Sequence, residues 1–283
     1  MSPPRHRPER RPERPRQRSR RVAAVAGLAL VVLAVGGCSD ARWGVPESAA
    51  TQGDDFLALW RVFVPIAGLV VLLIWGLVAY LVIRGRVWRR RPGEPDQEQY
   101  HVRLEVLYTV VPLLLVGVLF GLTVVRTDAI TETVDDPDEV IEVYGFQWSW
   151  RFTYPDDGIA VTGIGEGDPV LRLPVDRTIR LHLLADDVIH SFWVPEFLTK
   201  RDLIPGVDNE IDITPTRTGT FTGRCAEFCG LDHTEMRFGV EVMEADEYDA
   251  WIADAAAGRI DDPTVSVVPV EADAGSGTEE ANG

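Results

Sequence analysis

Two stretches of this chain run without a charged residue for longer than a small soluble fold can readily bury. "VFVPIAGLVVLLIWGLVAYLVI" spans 22 residues from Val62 to Ile83, and "VLYTVVPLLLVGVLFGLTVV" spans 20 residues from Val106 to Val125. Each has the length a helix needs to cross a hydrocarbon layer of roughly 30 Å. Pro65 and Pro112 fall near the starts of the two runs, where a helix tolerates proline best. The connecting segment, Arg84 to Arg103, contains six arginines, most of them in "RGRVWRRR" directly after the first run. By the positive-inside tendency that loop is cytoplasmic. The mature N-terminus and everything after Arg126 then face outward, and the two helices form a hairpin that anchors an external domain.

The charge distribution agrees with this division. The net charge of −16 conceals a split: residues 1–126 carry 18 basic and 10 acidic side chains, whereas residues 127–283 carry 10 and 34. Such asymmetry bears on partners and on sides of a membrane rather than on fold. An acidic exported half gives no reason to expect a nucleic-acid partner.

A third apolar run, "VAAVAGLALVVLAVGG" from Val22 to Gly37, follows nine arginines in the first 21 residues and ends at Cys38. A basic start, a short apolar centre and small residues before a cut describe a secretory signal. "VGGC" followed by serine resembles a bacterial lipobox, in which Cys38 is lipidated and becomes the mature N-terminus. An uncleaved additional membrane helix is the alternative.

From about Glu139 the pattern changes to short β-branched and aromatic runs: "VIEVYGFQWSWRFTY", "VLRLPVDRTIRLHLLADDVIHSFWVP", "NEIDITPTRTGTFTGRC" and "MRFGVEVME". Turn signals such as "YPDDG", "GEGDP" and "IPGVD" separate them. Several short strands with such turns favour a β-sandwich or barrel. "ADEYDAWIADAAAG" reads as a short closing helix, and the acidic tail from Asp261 as unstructured.

The densest chemistry lies in "RCAEFCGLDHTEM", with the spacing Cys225-x3-Cys229-x3-His233-x2-Met236. Two cysteines in an exported domain ordinarily suggest a disulfide. With His233, and with His190 35 residues upstream in "DDVIHSFWVP", they also form a Cys2His2 set suited to structural zinc. Two thiolates, two imidazoles and a thioether are equally a soft set that suits copper, and two thiolates can bridge two ions. Zinc leaves Met236 without a role. His182 reads as a surface or satisfied histidine, Met243 as core, and Trp148 and Trp150 share one strand face.

At this point the chain resembles a known family. "CAEFCGLDHTEM" is similar to the dinuclear copper (CuA) motif, Cys-x-Glu-x-Cys-Gly-x-x-His-x-x-Met, of subunit II of haem–copper cytochrome c oxidases. "ADDVIHSFWVPEF", "KRDLIPGVDNE", "YGFQWSWRFTYP" and, in the second apolar run, "HVRLEVLYTVVP" resemble further segments of that family, over roughly residues 50–250. The resemblance implies an all-β, cupredoxin-like Greek-key sandwich on a two-helix transmembrane hairpin. It implies copper ligation by the side chains of His190, Cys225, Cys229, His233 and Met236 and by the carbonyl of Glu227, whose carboxylate would face a magnesium ion. Asp187 and Asp202 would lie near the catalytic subunit. Trp148 would be the point of electron input, and Glu105 would stand at the mouth of a proton path.

Three positions depart from the pattern: Phe146 replaces a histidine, Val207 an arginine and Arg224 a glutamine. No Cys-x-x-Cys-His is present, so no fused c-type haem is expected.

The resulting expectation is a signal peptide over 1–37, a short external segment over 38–55, a hairpin over 56–126 with its cytoplasmic loop at 84–103, a CuA domain over 127–250 and an acidic tail over 251–283. The function implied is that of subunit II of an aa3-type oxidase in the bacterial cell membrane, a multi-pass protein with its C-terminal domain outside. Its implied partners are subunits I and III and cytochrome c, free or bound in a bc complex. An exported copper-binding or delivery lipoprotein is the contrasting reading, and three methionines are few for exchangeable copper ligation. A subunit of another CuA oxidase or of a nitric oxide reductase is the nearer alternative. A quinol oxidase would lack the copper ligands.

Overall fold

The computed structural model describes residues 42–88, 99–163 and 167–269. The signal run and Cys38 lie outside the described residues.

The two charge-free runs lie inside longer helices, α1 at Thr51–Trp88 and α2 at Val102–Thr131. Both are long and apolar enough to cross a membrane. Their apolar side chains, such as Leu72, Leu81, Leu113 and Phe120, point outward. That is the arrangement expected when lipid rather than protein is the solvent. α2 begins with a side-chain cap. The His101 ring Nδ1 accepts from the Leu104 N–H at 3.3 Å, and the Glu105 carboxylate accepts from the His101 N–H at 2.8 Å. The two bonds satisfy donors that a helix start leaves open.

The helices extend beyond the expected hairpin at their outer ends because the β domain grips them there. Just before α1, Ala49 and Ala50 are fully buried in the domain. The Ala49 N–H donates to Glu196 O at 2.8 Å, and Thr216 N–H donates to Ala49 O at 3.0 Å. Gly53 sits so tightly that a Cβ would fall 2.7 Å from Phe197 O. Beyond α2, the Val134 N–H donates to Asp212 Oδ2 at 2.7 Å, and Arg180 holds both oxygens of that carboxylate at 2.9 and 3.0 Å. Across the pair, Arg126 Nη1 meets Asp55 Oδ1 at 2.7 Å.

The domain itself is a sandwich of two sheets. The first has the order β11 (Val265–Val267), β3 (Ile159–Thr162), β2 (Ser149–Tyr154), β1 (Glu139–Phe146), β5 (Ile179–Ala185), β8 (Asn209–Ile213). The second has the order β4 (Val170–Pro174), β10 (Arg237–Met243), β9 (Gly219–Cys225), β6 (His190–Val194), β7 (Thr199–Leu203). The pairs β1–β5 and β4–β10 are parallel and the others antiparallel. Period-two alternation carries through to burial. Ile179, Leu181 and Leu183 of β5 are fully buried, while Arg180, His182 and Leu184 between them are partly exposed. The inner faces meet over Trp150, Phe152, Phe192 and Phe238, the last two ring centroids lying 5.0 Å apart.

The C-terminal portion corrects the expectation of an unstructured tail from 251. Helix α3 occupies Ala245–Ala256 and buries Tyr248 and Ala255. After it, β11 adds antiparallel to β3, with Ser266 opposite Ala160. An exposed sheet edge takes a strand through backbone hydrogen bonds alone, so no side-chain pattern need announce it.

Candidate metal centre

The cluster forms where three strands of the second sheet end together. His190 opens β6, Cys225 closes β9, and Met236 immediately precedes β10. β9 pairs with β10, placing Arg224 opposite Arg237, and with β6, placing Cys225 opposite Phe192. The Cys225 N–H donates to Met236 O at 2.9 Å, and the Ala226 N–H donates to Ser191 O at 3.0 Å. The loop from Ala226 to Glu235 is thereby clamped at both ends, and it folds Cys229 and His233 back over Cys225.

Six donors predicted from sequence come together. The Cys225 and Cys229 sulfurs are 3.8 Å apart. Cys225 Sγ lies 3.9 Å from His190 Nδ1 and 3.1 Å from Glu227 O. Cys229 Sγ lies 3.6 Å from His233 Nδ1 and 3.7 Å from Met236 Sδ. His190, Cys225, Cys229 and Met236 are buried, and His233 is partly exposed. Both cysteines are free thiols, and their sulfurs stand well beyond the ~2.05 Å of a disulfide. The His190, Cys225 and Cys229 ligand atoms all lie within 4.8 Å of one another, a group that can hold a metal ion. The donor set fits copper. Paired thiols, one imidazole nitrogen beside each, a thioether and a carbonyl are soft-to-borderline donors, with Met236 included where tetrahedral zinc would leave it idle.

Electrostatics separate the two thiols. Burial is the largest influence on Cys225 and would raise it, but the hydrogen bonds with His190, the Glu227 and Ser191 backbone and His233 together outweigh it and bring the thiol down to about 6. Cys229 is pushed up to about 12 by burial and then by the neighbouring Cys225 sulfur. Burial disfavours the charged form of His190, yet its contacts with Cys225 and Asp187 raise it above the usual imidazole value. Burial works the same way against the Asp187 carboxylate, which is nevertheless held below its usual value by His190 and by the N–H groups of Val188 and Gln147.

Asp187 Oδ1 faces His190 Nε2 at 2.9 Å. An ionised carboxylate only accepts, so Nε2 carries a proton, and Nδ1 is the ring nitrogen turned toward the sulfurs. Behind His190 stands the Trp150 indole, with ring centroids 6.3 Å apart. In front, Trp148 Nε1 donates to Cys229 O at 3.2 Å. A groove of about 650 Å³ runs from Phe146 and Trp148 to Asp168, Asp232, Glu235 and Arg237.

Other residues singled out from sequence lie elsewhere. Glu105 caps α2. His182 sits on the outer face of β5 against Asp208. Met243 is core. Asp202, on β7, lies 3.6 Å from Lys200 Nζ. Sequence reasoning missed Gln147, whose Nε2 donates to Cys229 O at 2.7 Å. It also missed the link from Asp187 to His190, for which the only sequence signal was a carboxylate three residues before a candidate ligand.

Comparison with known proteins gives one consistent picture. The profile described as "Cytochrome C oxidase subunit II, periplasmic domain" matches residues 139–243, which contain every strand that builds the cluster. The chain is 35% identical to a probable cytochrome c oxidase subunit 2 of Streptomyces avermitilis, over 88% of this chain and 90% of that one. It is 29% identical to the cytochrome c oxidase subunit 2 of Mycobacterium bovis, over 89% and 86%. Among solved structures, the periplasmic domain of subunit II of cytochrome oxidase (CoxB) of Bradyrhizobium japonicum is 33% identical with a TM-score of 0.42, covering 45% of this chain and all of that one. Because the match to the Streptomyces relative runs through the apolar helices as well as the sandwich, the chain belongs to the cytochrome c oxidase subunit II family.

Proposed function

We propose that the chain is the electron-input subunit of an aa3-type cytochrome c oxidase, and that His190, Cys225, Glu227 through its carbonyl, Cys229, His233 and Met236 hold a dinuclear copper centre. The observation that carries this reading is the convergence of two free thiols, two Nδ1 atoms, a thioether and a carbonyl at one end of the sandwich. When bound, the copper pair supplies a one-electron relay between a docked donor and the haem of subunit I.

The rest falls to the residues of this chain. Cys225 and Cys229 bring two sulfurs to one place, and the end of β9 and the clamped loop after it hold them with little freedom to rearrange. Asp187 fixes the His190 tautomer. The Trp150, Phe192 and Phe238 rings exclude water from the buried side. Reduced cytochrome c, free or bound in a bc complex, would dock over Trp148 and the acidic groove beside it. Glu227, exposed at the loop, would offer its carboxylate to magnesium at the contact with subunit I. Asp187 and Asp202 would lie near that contact, and Glu105 at the start of a proton path. Subunits I and III would pack on a hairpin that crosses the bacterial membrane twice, with loop 84–103 inside and the sandwich outside. Domain limits of 1–37 for a signal, 38–55 for a short external segment and 56–126 for the hairpin belong to the same proposal, as does lipidation of Cys38.

Metal counting and spectroscopy on the full chain in detergent, reconstituted with copper, test it. Two copper ions per chain, a purple colour and an EPR signal from one electron shared by both ions are expected. One zinc per chain, or a Cys225–Cys229 disulfide without metal, would sink the reading and leave a structural or copper-delivery role.

A further inference from the structure

Four hydrogen bonds tie the turn that carries Trp148 to the cluster. Gln147 Nε2 and Trp148 Nε1 both donate to Cys229 O, at 2.7 and 3.2 Å. The Gln147 backbone N–H donates to Asp187 Oδ2 at 2.7 Å, and Asp187 Oδ1 receives His190 Nε2 at 2.9 Å. We propose that Gln147 and Asp187 act together as a brace that positions the Trp148 ring against the Cys229 carbonyl, so that both are positioning residues for electron input. The inference rests on the electron-input reading above.

The ring needs such help. Trp148 is only half-buried, and one indole hydrogen bond is worth about 1 kcal/mol, comparable to the entropy cost of fixing its side chain. The Gln147 amide takes the second lone pair of the same carbonyl and thereby fixes the plane of the Cys229–Gly230 peptide. Gly230 shows how close the fit is. Its φ is +126°, and a Cβ there would stand 3.0 Å from both Gln147 Nε2 and Trp148 Nε1. Any side chain at 230 would push the amide and the indole off the carbonyl. Asp187 then ties the backbone of the β1–β2 turn to a second part of the centre. Its carboxylate also accepts from the Val188 N–H at 2.7 Å, so the group cannot swing without losing several partners. The route from His190 through Asp187 and Gln147 to Cys229 is continuous. It joins two cluster residues through the turn that carries Trp148, and a displacement of that turn would be felt at both.

The test uses the full chain labelled with 5-fluorotryptophan, which places a fluorine on each of the eight tryptophans. Trp148→Phe assigns the resonance of interest. Gln147→Leu keeps bulk at an exposed position and removes the amide. Asp187→Ala removes the carboxylate, and Asp187→Asn retains an acceptor oxygen. In metal-free chain, the Trp148 resonance is expected to shift or broaden in Gln147→Leu and Asp187→Ala, with the other seven in place as the control for folding, and to return toward the wild-type position in Asp187→Asn. In assembled oxidase with the same variants, kcat for cytochrome c oxidation should fall about tenfold while KM stays within about twofold, because misplacement of a positioned group by about 1 Å is costly in rate. An unchanged Trp148 resonance, or a moved resonance with unchanged kcat, overturns the proposal. Gln147→Leu keeps the test open if Asp187→Ala does not fold. Failure of the electron-input reading itself shows separately, as wild-type chain that takes up no copper.

Discussion

Gly223 shows how little room the residues behind the cluster have. It sits on β9 opposite Phe238 of β10, and a Cβ there would fall 2.1 Å from the Phe238 ring. That ring cannot yield, because it packs 5.0 Å from both Trp150 and Phe192, centroid to centroid. Gly223→Ala should therefore cost about 1–3 kcal/mol, the usual penalty for overpacking a filled core, read as a lowered melting temperature of the full chain. Copper loading at low temperature should survive, since no ligand is touched. The same neighbourhood shows which residues the sequence could reveal. Cys225, Cys229, His233 and Met236 lie within one loop, and their spacing alone marks them as a set. Gln147 and Asp187 join the site only because the β1–β2 turn and the bend before β6 fold onto that loop. Nothing in the chain near residue 147 refers to residue 229, so the brace was invisible until the strands were in register.

At the scale of elements, the closing helix α3 is held by a partly buried acid. The Tyr248 hydroxyl donates to the carboxylate of Glu139, the first residue of β1. Beside it, Arg177 grips Asp249 at 2.7 and 2.8 Å. Burial raises Glu139 from its ordinary 4.5 to about 7, with Asp157 and Asp156 adding to the rise and Tyr248 and Arg177 opposing it. The folded form thus holds a proton that the unfolded chain releases near 4.5. The stability this contributes is complete below that pH and is lost as pH rises through about 7. The loss is at most ~3 kcal/mol, and less to the extent that water reaches the group. Chemical unfolding of the domain between about pH 5 and pH 8 should show this decline. Glu139→Gln, which keeps an acceptor for the Tyr248 hydroxyl, should flatten it. An equal slope in the variant would assign the pH dependence to other groups. The helix was legible from "ADEYDAWIADAAAG", and the alternating strands from their turns. β11 was not legible, because its three residues use the free edge of β3 and need no pattern of their own.

For the whole molecule, the hairpin and the charge split were legible in the sequence, since neither a 22-residue apolar run nor an excess of 24 negative charges over residues 127–283 depends on folding. What the sequence could not show is that the sandwich is fixed to the hairpin. Ala49 and Ala50 enter its core, and Arg180 and Asp212 hold the segment after α2. A domain held in this way presents its acidic groove to a donor in one orientation, so the charge acts as a directed field rather than a diffuse one. Fields of this kind raise encounter rates with a basic partner and fade as salt shortens the Debye length from ~30 Å at 0.01 M to ~8 Å at 0.15 M. With a basic cytochrome c as donor, the second-order rate of electron transfer into assembled oxidase should fall by at least about tenfold over that salt range. Neutralising Asp168, Asp232 and Glu235 to their amides should flatten the salt response and raise KM at low salt, with kcat at saturation unchanged. The contrary result is equally specific. Phe228 and Leu231, 76% and 86% exposed at the tip of the cluster loop, offer an apolar contact that salt does not screen. A rate independent of salt would place docking on those two side chains or point to a donor permanently attached to the complex. Phe228→Ser would then separate the two, slowing a freely diffusing donor and leaving a tethered one unchanged.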